Sequence, residues 1–331
     1  MDILFVGANG KMEMEKVPEA GYSIVGIDIA GYNRSSLIKN FTLPYKLVRS
    51  FIQVRKIFKT FQPQAAVGVG GYSSYPVLRY AQAKGIPTFI HESNSFAGKS
   101  NILLGKKATR IFVASDEMER FFPATHLIRT GNPVRKIVVS NSISREDGLK
   151  FFGLDPDYTT VLVTGGSLGA KSINEAIDAG VSLFIKNRIQ LIWQTGKSFA
   201  ARAAAHAVET KMIWTNEFIT KMEYAYAAAD IVVSRSGSVL YELCAVRKPV
   251  IFIPYPHAAE DHQTMNAENL VKKNAAVMIP DGDARDKLVT EILNLAKNKP
   301  EQEILKNNIG KLAITDADER IAKEILKTLN D

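Results

Sequence analysis

The sequence predicts an α/β protein of two doubly wound units, each a parallel sheet covered by helices. Three observations lead there. β-branched runs alternate with helical patterns through most of the 331 residues. Two of those runs end in glycine clusters, one in each half of the chain. A turn signal, Thr130-Gly131-Asn132-Pro133, lies between the halves. Strand and helix in strict alternation imply parallel pairing with right-handed crossovers. In the first half, strands are expected at 3–6, 23–27, 65–69, 88–91 and 110–114. In the second they are expected at 160–164, 190–194, 211–214, 231–234, 250–254 and 276–279, with helical patterns at 172–186, 219–229, 239–245 and 261–273. The expected division is residues 1–134 and 135–331, with a last helix at about 315–331 returning to the first unit.

Composition narrows the class. An apolar fraction of 46% with 23% charged residues is that of a globular protein, and no run of 18 apolar residues is present. Cys244 is the single cysteine, which excludes an internal disulfide and fits a reducing compartment. The net charge of +8 is concentrated. Between Ile29 and His91 there is no Asp or Glu, while nine basic residues occur, among them Lys46, Arg49, Arg55, Lys56 and Lys59. Such a segment points to an anionic surface, lipid headgroups or nucleic acid. No nucleic-acid-binding module accompanies it, so nucleic acid is not expected as a partner.

The strongest chemical signal is Val161-Leu162-Val163-Thr164 running into Gly165-Gly166-Ser167-Leu168-Gly169-Ala170 and then a helical pattern from Lys171. Free backbone N–H groups and the positive end of a helix dipole meet there, an arrangement suited to phosphate. Ser167 could offer its hydroxyl to such an anion, or simply cap the helix. A second cluster, Gly70-Gly71-Tyr72-Ser73-Ser74, follows the strand expected at 65–69.

Taken in order and spacing, the motifs resemble the MurG family of bacterial transferases. These add N-acetylglucosamine (GlcNAc) to the lipid-linked muramyl-pentapeptide precursor of peptidoglycan. The resemblance rests on Gly70-Gly71-Tyr72, His91-Glu92-Ser93-Asn94, Thr130-Gly131-Asn132-Pro133-Val134-Arg135 and Gly165-Gly166-Ser167-Leu168-Gly169-Ala170. It continues through Trp193-Gln194-Thr195-Gly196, Ser234-Arg235-Ser236-Gly237 and Asp261-His262-Gln263-Thr264-Met265-Asn266. It implies the GT-B architecture: two Rossmann-like domains about a cleft, with UDP-GlcNAc held mainly by the second. It also implies inversion at the anomeric carbon, and neither a cofactor nor an obligatory metal.

Carried over residue by residue, the resemblance assigns donor contacts to Asn94, Arg135, Gly166, Ser167, Gly169, Ile219, Ser238, Glu242, Gln263 and Asn266. Ile219 would meet uracil through its backbone and Glu242 the ribose hydroxyls. Gln263 and Asn266, on neighbouring faces of one helical turn, would read the sugar. Gly70, Gly71, Tyr72 and Ser74 would bind the acceptor diphosphate of the undecaprenyl-linked muramyl peptide. Leu47, Phe51, Val54, Phe58 and Phe61 recur at helical spacing within the basic segment. With Leu37, Ile38, Phe41, Lys46 and Arg49 they would form an apolar, basic patch resting on the cytoplasmic face of the inner membrane. An ordinary domain helix with a solvated basic side is the competing reading.

Three departures from the family pattern stand out. Its first strand, glycine loop and helix find no match, so the first unit is expected to lack a central strand and no residue matches the family's first-loop histidine. Tyr75 stands where a glycine is usual, and a side chain there could obstruct close backbone approach. The turn before Glu242 is one residue short, which rotates the succeeding helical residues by about 100°. His91 and Glu92 could serve in acid–base work or merely orient their loop. The alternatives are therefore a relative that binds UDP-sugar without efficient transfer, or another GT-B enzyme such as a UDP-GlcNAc 2-epimerase.

Overall fold

Strands buried on both faces read as continuous apolar runs, and those runs lay down the sheets here. The computed structural model describes residues 1–31, 40–140 and 142–330. It clusters into two compact units, Met1–Gly131 with Glu319–Asp331, and Asn132–Asp318.

In the first unit the elements run β1 (Leu4–Ala8), α1 (Glu13–Glu19), β2 (Ser23–Ile27), α2 (Leu43–Phe61), β3 (Ala66–Gly68), α3 (Ser74–Ala83), β4 (Thr88–Glu92), α4 (Lys99–Gly105), β5 (Arg110–Val113) and β6 (Leu127–Arg129). All pairings are parallel, yet among the described residues they form two sheets: β1 with β2, and β3-β4-β5-β6. The usual doubly wound order is 3-2-1-4-5-6. Here β1-β2 and β3-β4-β5-β6 are separate sheets among the described residues. Among the described residues β1 and β3 each have one edge without a partner strand, and Phe5 and Val67 on those strands are 40% and 48% exposed. Ile27, Val54, Phe58, Leu78, Ile90 and Ile111 share one core.

The second unit contains α5 (Lys136–Val139), α6 (Arg145–Phe152), β7 (Thr159–Thr164), α7 (Lys171–Lys186), β8 (Ile189–Gln194), α8 (Ala200–Glu209), β9 (Ile213–Asn216), α9 (Met222–Ala228), β10 (Ile231–Ser234), α10 (Val239–Val246), β11 (Val250–Phe252), α11 (His262–Val271), β12 (Val277–Met278), α12 (Ala284–Lys297) and α13 (Lys299–Gly310). α14 (Ala317–Asn330) starts here, and its residues from Glu319 on group with the first unit. The six-stranded sheet has the order β12-β11-β10-β7-β8-β9. Order reverses beside β7, so its carboxyl end is the topological switch point where α/β sheets bind ligands. One core lies on each face of this sheet: Leu162, Ile192, Val232 and Phe252 point into one, Val161, Val163, Trp193 and Ile251 into the other.

The differences from expectation are local. The strand expected at 211–214 begins at Ile213, because Lys211 and Met212 form the turn that reverses the chain. The helix expected from 219 begins at Met222. β6 is three residues long and α8 buries only Ala203, so neither stands out as a long apolar run. Among the described residues no helix is long and apolar enough to cross a membrane.

Candidate functional site

In the second unit the glycine-rich loop closes tightly on the end of β8. Gly169 has φ +77°, and a Cβ there would lie 2.0 Å from the Thr195 carbonyl oxygen. Gly165 is pressed against the Ala170 amide, which a Cβ would meet at 2.3 Å. Gly166 also has φ +83° but faces open space. Conformation alone therefore favours glycine at 166, whereas at 169 backbone proximity demands it. α7 then starts with Ala170 extended at its N-cap and no capping side chain. Ser167 consequently does not cap the helix; it lies exposed on the loop. The first amides of this 16-residue helix have no intrahelical partner, and its dipole presents about half a positive charge.

Buried polar side chains hold the loop in place. Gln194 donates through Nε2 to Gly166 O (2.9 Å) and Thr164 Oγ1 (3.2 Å), and its Oε1 accepts the Ile219 N–H (2.9 Å). Asn174 donates to Thr195 O at 2.7 Å and accepts from Trp193 Nε1 at 3.0 Å. Arg235 donates to Ile253 O, Pro254 O and Asp281 Oδ1 (2.5 Å), with Ser172 Oγ bonded to the same carboxylate oxygen. It thus clamps the ends of β10 and β11 to the first turn of α7. No sequence assignment covered Gln194, Asn174, Arg235 or Asp281. Gln194 and Arg235 lie inside recognised motifs, which was the available signal.

Around this loop the expected donor residues separate. Ile219 is buried and its N–H is already used, so its carbonyl is the backbone group left to meet a base. Phe218 beside it is 49% exposed. Ser238 lies exposed at the start of α10. Gln263 accepts the Tyr255 N–H at 3.0 Å, and its Nε2 lies near Gly237. Asn266 is buried and donates to Ser236 O at 3.0 Å, supporting the turn from beneath. The helical spacing that suggested convergence with Gln263 turns it inward instead.

Glu242 lies in the first turn of α10. Arg135 grips it in a bidentate pair, Nε to Oε1 at 2.7 Å and Nη2 to Oε2 at 2.9 Å. The Tyr226 hydroxyl donates to Oε2 at 3.0 Å. Hydrogen bonding to the carboxylate raises the Arg135 pKa further, while burial pushes the Tyr226 phenol up. Tyr226 was invisible to motif reading because its spacing is that of a core residue.

In the first unit Gly70 and Gly71 both take positive φ, +94° and +77°. Ser74 Oγ donates to Gly70 O at 2.6 Å and fixes the turn. Tyr72 lays its ring against Gly31, where a Cβ would lie 2.8 Å from the ring. Tyr75 does not obstruct the turn: its ring meets Phe51 of α2 edge-on, 6.5 Å between centroids. His91 donates through Nε2 to Gly131 O at 3.1 Å, and burial lowers its pKa. Glu92 accepts from Asn94 N and Nδ2, Gly98 N and Asn101 Nδ2. It orients the loop that carries Asn94.

The basic helix also needs correcting. Val54 and Phe58 are core, and Phe51 is half-buried. The middle of the regular stripe seen in the sequence therefore faces inward, while Leu47 and Phe61 at its ends are exposed. A second stripe faces out: Tyr45, Val48 and Ile52 are 67%, 61% and 55% exposed, preceded by exposed Phe41. Arg49, Arg55, Lys56 and Lys59 flank and extend it, and Lys46 is partly exposed. Leu37 and Ile38 lie outside the described residues.

Residues 1–113 match the glycosyltransferase family 28 N-terminal domain and residues 160–323 its C-terminal domain. The UDP-N-acetylglucosamine–N-acetylmuramyl-(pentapeptide) pyrophosphoryl-undecaprenol N-acetylglucosamine transferase of Phocaeicola vulgatus is 48% identical over 98% of this chain and 88% of its own length. The transferase of the same name from Cytophaga hutchinsonii is 45% identical over 99% and 89%. Among solved structures, Acinetobacter baumannii MurG has a TM-score of 0.78 at 24% identity, covering 98% of this chain and 91% of its own. A UDP-GlcNAc 2-epimerase from Neisseria meningitidis has a TM-score of 0.64 at 12% identity, over 99% and 100%. The two structural likenesses speak to fold alone.

Proposed function

The chain belongs to glycosyltransferase family 28, within its MurG branch, and from that premise we propose how its residues divide the work. It is a UDP-GlcNAc-dependent hexosyltransferase of GT-B fold. It moves GlcNAc to the C4 hydroxyl of undecaprenyl-diphosphate-MurNAc-pentapeptide, converting lipid I to lipid II in peptidoglycan synthesis. Identity of 44–48% to transferases of that name, against 12% to the epimerase, decides between the two activities.

The observation that carries the site assignment is the loop 165–170 at the switch point, with unpaired amides at the start of α7. The C4 oxygen attacks the anomeric carbon, the bond from that carbon to UDP breaks with inversion, and the hydroxyl proton passes to solvent water. Negative charge grows on the β-phosphate as it leaves. Fixed amides and a helix dipole stabilise that charge without reorganising. Glu242 offers a ribose diol two acceptor oxygens, the Ile219 carbonyl faces uracil, and Gln263 reads the sugar. Asn266 acts by holding the turn. Gly70, Gly71, Tyr72 and Ser74 receive the acceptor diphosphate, with Asn94 and Arg135 also on the donor.

The pairing of β1-β2 apart from β3-β4-β5-β6 among the described residues favours a second reading, donor binding without efficient transfer. Titration calorimetry with UDP-GlcNAc, then transfer of labelled GlcNAc to lipid I, separates the two. Heat and labelled lipid II support transfer, and heat without product supports the second reading. No heat overturns the site.

The exposed stripe Phe41, Tyr45, Val48 and Ile52, with the cations that extend it, is the surface proposed to rest on the cytoplasmic leaflet. Each basic side chain close to an anionic leaflet contributes about 1 kcal/mol. Val48→Asp with Ile52→Asp should abolish cosedimentation with phosphatidylglycerol vesicles at low salt while leaving UDP binding intact. Unchanged cosedimentation rejects the surface.

A further inference from the structure

We propose that Tyr226 is a positioning residue that holds Glu242 for a ribose diol, and that Arg135 is the partner the diol displaces. The proposal rests on the reading of Glu242 as the ribose acceptor.

Counting lone pairs leads to it. A carboxylate offers about four acceptor positions, two on each oxygen. Here Oε1 accepts one bond, from Arg135 Nε, while Oε2 accepts two, from Arg135 Nη2 and the Tyr226 hydroxyl. One position remains, on Oε1. A cis-diol donating to both oxygens needs one position on each, and Oε2 is full. One of its two present partners must leave.

Burial decides which. Tyr226 is 2% exposed and packs in the core beneath α10. Its hydroxyl would find no water if it let go, and a stranded buried donor is costly. Burial also keeps the phenol protonated, so it remains a donor. The Arg135 side chain is 51% exposed and can exchange its carboxylate for water or for another anion on the same ligand. After the exchange Oε2 holds Tyr226 and one ribose hydroxyl, and Oε1 holds the other. Tyr226 therefore fixes which way the carboxylate faces both before and after the ligand arrives.

The test compares UDP with 2′-deoxy-UDP by titration calorimetry. The wild-type chain is expected to prefer UDP at least tenfold. Tyr226→Phe removes only the hydroxyl, and the preference should fall below about threefold while 2′-deoxy-UDP binds within twofold of wild type. Equal wild-type affinities would sink the ribose reading itself, and the proposal with it. A tenfold preference that Glu242→Gln removes but Tyr226→Phe preserves would overturn the proposal alone, as would an equal loss for both ligands. As a second variant, replacing every tyrosine with 3-fluorotyrosine makes the phenol a stronger donor. The preference should then rise, and an unchanged value counts against Tyr226.

Discussion

Gly166 and Gly169 allow one loop to be probed twice with the same added methyl group. Both take positive φ, yet a Cβ at 166 meets nothing within 4 Å while one at 169 would sit 2.0 Å from Thr195 O and 2.8 Å from its carbonyl carbon. Gly166→Ala therefore carries only the left-handed backbone cost, about 1 kcal/mol. Gly169→Ala carries that cost and must also push apart two backbone segments by more than 1 Å, since carbon–oxygen contact needs about 3.4 Å. The obstacle cannot yield cheaply. Thr195 O is held by Asn174 Nδ2 at 2.7 Å, and Asn174 is held by the buried Trp193 indole. Loss of one such buried bond adds about 1–3 kcal/mol, so Gly169→Ala should cost at least about 3 kcal/mol in all. For a unit of this size each kcal/mol lowers the melting midpoint by about 2–4 °C. Calorimetric scans should show a drop of about 2–4 °C for Gly166→Ala and at least about 6 °C for Gly169→Ala. UDP binding should also fall further in the second. Equal shifts would refute the argument that backbone proximity, and not φ, makes residue 169 glycine.

Glu92→Gln places an amide N–H₂ against donors the carboxylate now accepts, so about 3 kcal/mol should be lost in urea denaturation, with weaker UDP-GlcNAc binding through the Asn94 loop. Asp281→Ala leaves the largely covered Arg235 guanidinium without its carboxylate and should cost about 3 kcal/mol, read the same way. His91 has its folded pKa below the ordinary 6.5, so its stabilising contribution is complete above that pH and is lost as the pH falls from 6.5 towards the folded value; His91→Gln should flatten that part of the stability profile. Amides along β1 and β3 should exchange with deuterium faster than those of β4 and β5, because an edge strand has one partner and a central strand two.

Local chemistry was legible in the chain where it is written in neighbouring residues. The passage from β7 through Gly165 and Gly169 into α7 could be read directly, since a buried run, positive-φ turns and a helix start each leave a signature within a few positions. The alternation of strands and helices fixed the α/β class for the same reason. Helical periodicity also showed that α2 has an apolar stripe, but not which way it faces. A helix with two apolar faces gives one spectrum, and only packing shows that Val54 and Phe58 point inward while Val48 and Ile52 stay outside.

Contacts between distant residues had no such signature. Arg135 reaches Glu242 across 107 positions, Arg235 reaches Asp281 across 46, and Tyr226 looks like any core tyrosine until its hydroxyl is seen on a carboxylate. The sequence determined the class, the motifs and the phosphate-suited loop, because these are short-range properties of the backbone. Tertiary structure decided which side chains are free to act, because that depends on what each polar group already holds.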